Sequence, residues 1–296
     1  MDLKKTYWAN AAVVFTIHAV ALAAFLPWLF SWVGVAAAVL GLYFYGTLGI
    51  NIGFHRLLTH RSFRCPPWLE HLLAIQGCCC LMHTPTKFVV YHRLHHRYSD
   101  GEQDPHSPRN SLFWGHVGWV ICERSDVDWA GIYQQYGKDM VSDRFYRIFE
   151  RGPWLIYLYA LHALLFLAAG FLIGWISGGT TAAGWQMGLS LMVWGVFVRT
   201  VAVWHITWMV NSLAHTWGYR NYQTRDNSRN NWLAALLSNG DGWHNNHHAV
   251  PRAADHGQRW FELDVAFITI QLFEALGLAH DVVRSGGVRS AVAVAK

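Results

Sequence analysis

The sequence predicts an all-α integral membrane protein: four transmembrane helices in two hairpins, with a cytoplasmic helical cap that holds a di-metal site. Three observations carry this expectation: two long stretches without a charged residue, a shortage of charge overall, and three tight histidine clusters at the edges of those stretches. Only 14% of the 296 residues are charged and 53% are apolar, against about 25% charged in ordinary soluble domains.

No Asp, Glu, Lys or Arg occurs from Thr6 to His55, nor from Gly152 to Val198. Each stretch runs to roughly 50 residues, which at about 1.5 Å per helical residue crosses a ~30 Å hydrocarbon core twice. Pro27 and the run Ser31 to Gly34 divide the first into spans near 8–30 and 33–54. Ser177-Gly178-Gly179 divides the second into spans near 154–176 and 185–209. Lys4-Lys5, an apolar run and Ala21-Leu22-Ala23 imitate a signal peptide, but the run continues to Phe30 and reaches the length of a span.

All 23 Lys and Arg fall in Met1–Lys5, between Arg56 and Arg151, or from Arg199 onward. Hairpin topology puts these on one face, which the positive-inside rule makes cytoplasmic. A single domain, 1–296, is expected, its cap formed by 55–153 and 210–280. Within the cap, Leu69 to Met82 lies between Pro66-Pro67 and Pro85 and reads as an interfacial or buried helix. It contains Cys78-Cys79-Cys80, which with Cys65 and Cys122 map to a compartment that disfavours disulfides. Buried thiols are expected there rather than a thiolate metal site.

A formal charge of +5 does not argue for nucleic acid, because basic residues are interleaved with acidic ones. Anionic lipid headgroups or an acidic electron carrier suit such a face better. There is no phosphate loop and no dinucleotide fingerprint, so any reductase is external.

The clusters are His55 and His60; His92, His95 and His96; and His244, His247 and His248. Eight imidazoles exceed what one ion of ordinary geometry takes. The second and third clusters are spaced i, i+3, i+4, which sets all three rings on one helical face. The first is i, i+5, which on a regular α-helix turns the rings roughly 140° apart, so a break in the helix is expected there. The Glu of a helical zinc-protease pair and the Glu-x-x-His of soluble di-iron bundles are both missing. Histidine-rich ligation at a membrane surface suits two irons that activate dioxygen.

His55-Arg-Leu-Leu-Thr-His60, His92-Arg-Leu-His-His96 and Gly242-Trp-His-Asn-Asn-His-His248 resemble the three histidine boxes of the membrane fatty-acyl desaturases, the stearoyl Δ9-desaturase type. The similarity extends through Asp104-Pro105-His106, Asn211-Ser-Leu-Ala-His215 and Glu262-Leu-Asp264, over roughly residues 40–280. The resemblance implies a di-iron centre with nine histidine ligands, the eight above and His215, and with Asn211 holding a metal-bound water. It implies removal of two hydrogens from adjacent methylenes of a fatty-acyl chain in a narrow, water-poor tunnel, with dioxygen as co-substrate. Electrons would come from a donor such as ferredoxin or cytochrome b5 with its reductase.

Two departures from the family pattern bear on the reading, the first on a contact behind the metal ligands and the second on the acyl carrier. Where many relatives carry Glu, two residues before the aromatic of the third box, this chain has Asp241. Where stearoyl-CoA members carry Trp-x-Arg-Asp before the second box, it reads Phe88-Val89-Val90-Tyr91, with neither charge. An acyl group carried on a membrane lipid is therefore favoured over acyl-CoA. Rival readings are a di-iron membrane hydroxylase of acyl or alkyl chains and a non-catalytic metal-binding membrane protein. Against the latter, transport favours ionisable ligands inside the spans, whereas these clusters gather at one face.

The remaining histidines carry weaker signals. His205, His106 and His116 read as core histidines that at most touch a ligand, and His18 and His162 as packing residues within spans. His71, His83, His256 and His280 carry no spacing signal. Trp8, Trp28, Trp32, Trp154 and Trp175 suit an interfacial belt, while Trp114, Trp119, Trp217 and Trp243 are candidates to line the tunnel.

Overall fold

A computed structural model describes residues 6–122 and 127–286. Lys4-Lys5, the basic head of the signal-like segment, lies outside them. Among the described residues, four helices are long and apolar enough to cross a membrane: α1 Trp8–Phe25, α2 Trp32–Thr59, and, later in the chain, Trp154–Gly178 and Thr181–Leu213. Between the pairs come α3 Pro67–Cys78, α4 Pro85–Tyr98 and short helical turns over 114–121 and 129–149. The later spans are α5 and α6, followed by α7 Trp232–Ser238, α8 His244–Ala249 and α9 Val265–Ala275. Only isolated bridges, and no strands, occur among the described residues.

Local chemistry sets the boundaries. Pro67 and Pro85 occupy first-turn positions, where a missing N–H costs nothing. Side-chain oxygens of Ser31, Thr84, Thr180, Asn231 and Asp264 each accept from a backbone N–H in the first turn of the helix that follows. α5 ends at Gly179, whose φ of 67° is the left-handed cap that glycine takes most readily. Thr180 then caps α6 at once, so the fourth span begins at Thr181 rather than near 185. α2 runs on to Thr59 rather than ending near 54.

The extension of α2 has a physical cause. Leu42–Thr59 is wound as a π-helix, with i→i+5 hydrogen bonds, and His60 N–H donates to His55 O at 3.1 Å. Wider winding brings residues five apart onto one side, so the helix does end at His60, but no break separates the two histidines. α2 also crosses α3 at very close range: a Cβ on Gly49 would lie 2.4 Å from the Gly77 nitrogen.

The bundle ends at one level where α1 and α5 start and α2 and α6 finish. Tyr7 N–H donates to Ile121 O there at 2.9 Å, joining α1 to the central segment. α7 and α9 flank α2 at that end: Asn239 donates to Thr47 Oγ1 at 2.7 Å, and Tyr43 and Thr269 share a 2.8 Å bond. Arg199, fully buried in α6, is satisfied by Cys79 O at 2.9 Å and His162 Nε2 at 2.8 Å, with its guanidinium 4.3 Å from the Tyr45 ring centroid. His162 is therefore the partner of a buried cation. Cys78, Cys79 and Cys80 are buried, and burial pushes Cys79 up to about 12 and Cys80 to about 11. Such thiols stay protonated and are poor metal ligands, in line with a packing role. Trp8, Trp28, Trp32, Trp154 and Trp175 are all at least half exposed near helix ends, as a belt requires.

Candidate metal centre

α2 delivers His55 and His60, α4 delivers His92, His95 and His96, α8 delivers His244, His247 and His248, and His215 follows the end of α6. These nine side chains form two groups. His55, His60, His92, His96 and His247 compose one, and His95, His215, His244 and His248 the other, with the donor atoms of each within 4.8 Å of one another. In the first group Nε2 separations are 3.1 Å for His55–His247, 2.9 Å for His247–His96 and 3.0 Å for His96–His92. In the second they are 3.0 Å for His248–His244, 3.0 Å for His244–His215 and 3.3 Å for His95–His248. An ion of six-coordinate geometry with bonds of about 2.1 Å has donor atoms about 3.0 Å apart along each edge.

Carboxylates on the outside fix which nitrogen faces inward. Nδ1 of His55 pairs with Asp241 at 3.3 Å, of His95 with Asp104 at 3.0 Å, of His215 with Asp100 at 3.2 Å and of His248 with Asp226 at 2.8 Å. An imidazole that donates through Nδ1 carries a bare lone pair on Nε2. Of these four, His95 and His248 face each other through Nε2 at 3.3 Å, an arrangement that a cation between them stabilises. His60 Nε2 is buried without a hydrogen-bond partner among the described residues. The donor set thus fits a pair of metal ions.

Electrostatics keep most of the rings neutral, the form that can ligate a metal. Burial first, and then neighbouring imidazoles, hold His60, His92, His96, His244, His247 and His248 well below the ordinary histidine value. His95 is raised: burial pulls it down, but Asp104 and more distant carboxylates outweigh that. Asp104 and Asp241 lie far below the usual carboxylate range, because His95 and His106 for the first and His55, His256 and Arg56 for the second outweigh the opposing effect of burial.

Other box residues brace the ligands. Arg56 binds both oxygens of Asp264, at 2.9 and 3.2 Å, and donates to Ala254 O. Asn246 in α8 donates to Glu262 Oε2 at 2.8 Å and accepts from Asn230 and Asn221, so the Glu262-Leu-Asp264 segment clamps the first and third boxes together. Asp241 receives both His55 and His256, each at 3.3 Å.

A cavity leads to the groups, with Asn211, His55, His92 and His244 on its wall. α2 and α6 supply its apolar lining, including Leu42, Ile50 and Val203. Of the candidate tunnel tryptophans, Trp119 lines this cavity. Trp243 instead donates to Leu263 O at 2.8 Å, and Trp217 is exposed.

The fatty acid desaturase family model matches residues 28–267. The sn-1 stearoyl-lipid 9-desaturase of Anabaena variabilis is 40% identical over 93% of this chain and 93% of its own length. The chain belongs to the fatty acid desaturase family. This desaturase is accordingly an oxidoreductase. Its other relatives include the sn-2 palmitoyl-lipid 9-desaturase of Nostoc sp. (strain 36), 37% identical over 94% of this chain and 90% of that protein. The acyl-CoA C20 Delta5-desaturase of Anemone leveillei is also 37% identical, over 94% of this chain and 85% of that protein.

Several roles in the desaturase escape sequence reading. His106 and His256 do touch the cluster, with ring centroids 4.3 Å from His95 and 4.4 Å from His247. Asp100 and Asp226 had no signal, since the histidines they meet are 115 and 22 residues away. His205 bonds instead to His18 at 3.1 Å and His116 at 2.9 Å, a satisfied chain apart from the nine histidines.

Proposed function

We propose that this desaturase removes two hydrogens from adjacent methylenes of a saturated acyl chain carried on a membrane lipid, leaving a cis double bond at the Δ9 position. The observation that carries the reading is the pair of polyhistidine groups set against one apolar cavity. Overall, –CH2–CH2– + O2 + 2e⁻ + 2H⁺ gives –CH=CH– + 2H2O. Two iron ions, when bound, supply the dioxygen chemistry.

The chain's own residues hold and orient. Five histidines would hold one iron and four the other, Asn211 would position a water beside the second, and Asp100, Asp104, Asp226 and Asp241 keep four ligand Nε2 atoms aimed inward. The α2 and α6 walls align the acyl chain and exclude water. We read 1–296 as a single domain whose cap, 55–153 and 210–280, lies on the cytoplasmic face, where an external donor such as ferredoxin or cytochrome b5 delivers electrons. Stearoyl- and palmitoyl-lipid 9-desaturases among the relatives support the regiochemistry and the lipid carrier, as does the uncharged Phe88–Tyr91 run.

The test is expression in a host lacking desaturation, with mass spectrometry locating the double bond. A Δ9 monounsaturated product, absent from a His247→Ala control, is expected. A hydroxylated product, or an unchanged product from the control, contradicts the reading.

A further inference from the structure

Two further cavities adjoin the one that reaches the histidine groups, and His83 is the one described residue that lines all three. One neighbour is lined by Tyr7, Lys87 and Tyr133 and is the more polar arm. The other runs between α1 and α5, where Val13, Leu155 and Ile156 line it. Ile156 is 45% exposed on the outer surface of α5, so this arm reaches the apolar perimeter of the bundle near its histidine-bearing end.

At the meeting point, His83 Nε2 is buried and has no hydrogen-bond partner among the described residues. An unmatched buried ring nitrogen costs free energy unless a ligand or a water meets it. A single-chain thioester uses two arms, one for the chain and one for its carrier. A diacyl lipid needs three: the chain to be oxidised, its sister chain, and the headgroup. One apolar arm to the histidines, one apolar arm to the bundle perimeter and one polar arm match the second requirement.

We propose that the His83 junction binds the glycerol backbone of a diacyl membrane lipid, with one chain in the histidine arm, the other between α1 and α5, and the headgroup in the arm past Lys87. The His83 imidazole donates to an ester carbonyl oxygen of the lipid, which makes it a positioning residue. This rests on the lipid-linked desaturation reading above and adds where the lipid's backbone, second chain and headgroup are held.

The experiment uses the iron-loaded protein with a reduced electron carrier. It compares dipalmitoylphosphatidylglycerol, palmitoyl-lysophosphatidylglycerol and palmitoyl-CoA, each in mixed micelles, with products read by mass spectrometry. The diacyl lipid is expected to give a kcat/KM at least tenfold above either single-chain substrate. Val13→Trp and Ile156→Trp, on opposite walls of the lateral arm, are each expected to lower the diacyl-to-lyso ratio at least tenfold. His83→Leu is expected to raise KM for the diacyl lipid more than it lowers kcat, with His83→Gln recovering part of the loss. Preference for palmitoyl-CoA, or Trp variants that leave the ratio unchanged, overturns the three-armed site while leaving desaturation intact. No double bond in any of the three substrates overturns the desaturation reading itself.

Discussion

At the scale of single residues, the carboxylates outside the cluster matter as much as the rings inside it. Asp104 is fully buried and meets His95 Nδ1 with both oxygens at 3.0 Å. Asp104→Asn keeps the shape but removes the charge and one acceptor. Iron affinity is expected to fall about 10–100-fold, measured by equilibrium competition with a chelator; unchanged affinity would remove the bracing role. The depressed histidines add a pH dependence. Six of them are neutral in the folded chain at pH values where the unfolded chain is protonated, so the unfolded state binds more protons below about pH 6.5. Their contribution is present above that pH and lost as pH falls, while the raised His95 opposes it as one group. The chelator-treated protein should therefore melt at a lower temperature at pH 5.5 than at pH 7.5, and a flat or inverted trend would contradict the assignment. Eight of the nine histidines were legible because cluster spacing and box motifs are local signals, and His215 only through the resemblance of Asn211–His215 to the family. Asp100 meets His215 across 115 residues, a pairing that no local pattern encodes.

Among the elements, α2 departs most from regular expectation. Spacing rules built on 3.6 residues per turn place His55 and His60 apart, but i→i+5 winding over Leu42–Thr59 sets their ring centroids 4.8 Å apart. Composition located the span, whereas neither its winding nor its close packing against α3 is displayed by the sequence pattern. Gly49 and Gly77 allow that packing, since a Cβ on Gly77 would lie 2.5 Å from the Phe54 ring. Gly49→Ala forces α2 and α3 apart, with an expected cost of about 1–3 kcal/mol. Because Phe54 precedes His55, iron retention should drop alongside the melting temperature. Loss of neither would show that the close crossing is dispensable.

For the whole molecule, hairpin arithmetic gave four helices and their order, and the structure moved only their ends. The sidedness follows from charge. With the α5–α6 turn uncharged and the basic residues at the other end of the bundle, we propose on the positive-inside rule that the histidine-bearing face lies in the cytoplasm. Trp260 is 97% exposed on that side, and Thr181 is exposed in the opposite turn. In a Cys65→Ser/Cys122→Ser background, Trp260→Cys should react with a membrane-impermeant thiol reagent only in inside-out vesicles. Thr181→Cys should react only in right-side-out ones, and the reverse pattern would invert the topology.

The central claim is that distant parts of one chain enclose two metal ions. It is tested most directly by the iron content of the purified chain after anaerobic loading with Fe(II) and removal of excess metal. The account predicts two irons per wild-type chain and no more than one in His96→Ala. A single iron in the wild-type protein, or two retained by the variant, would contradict it.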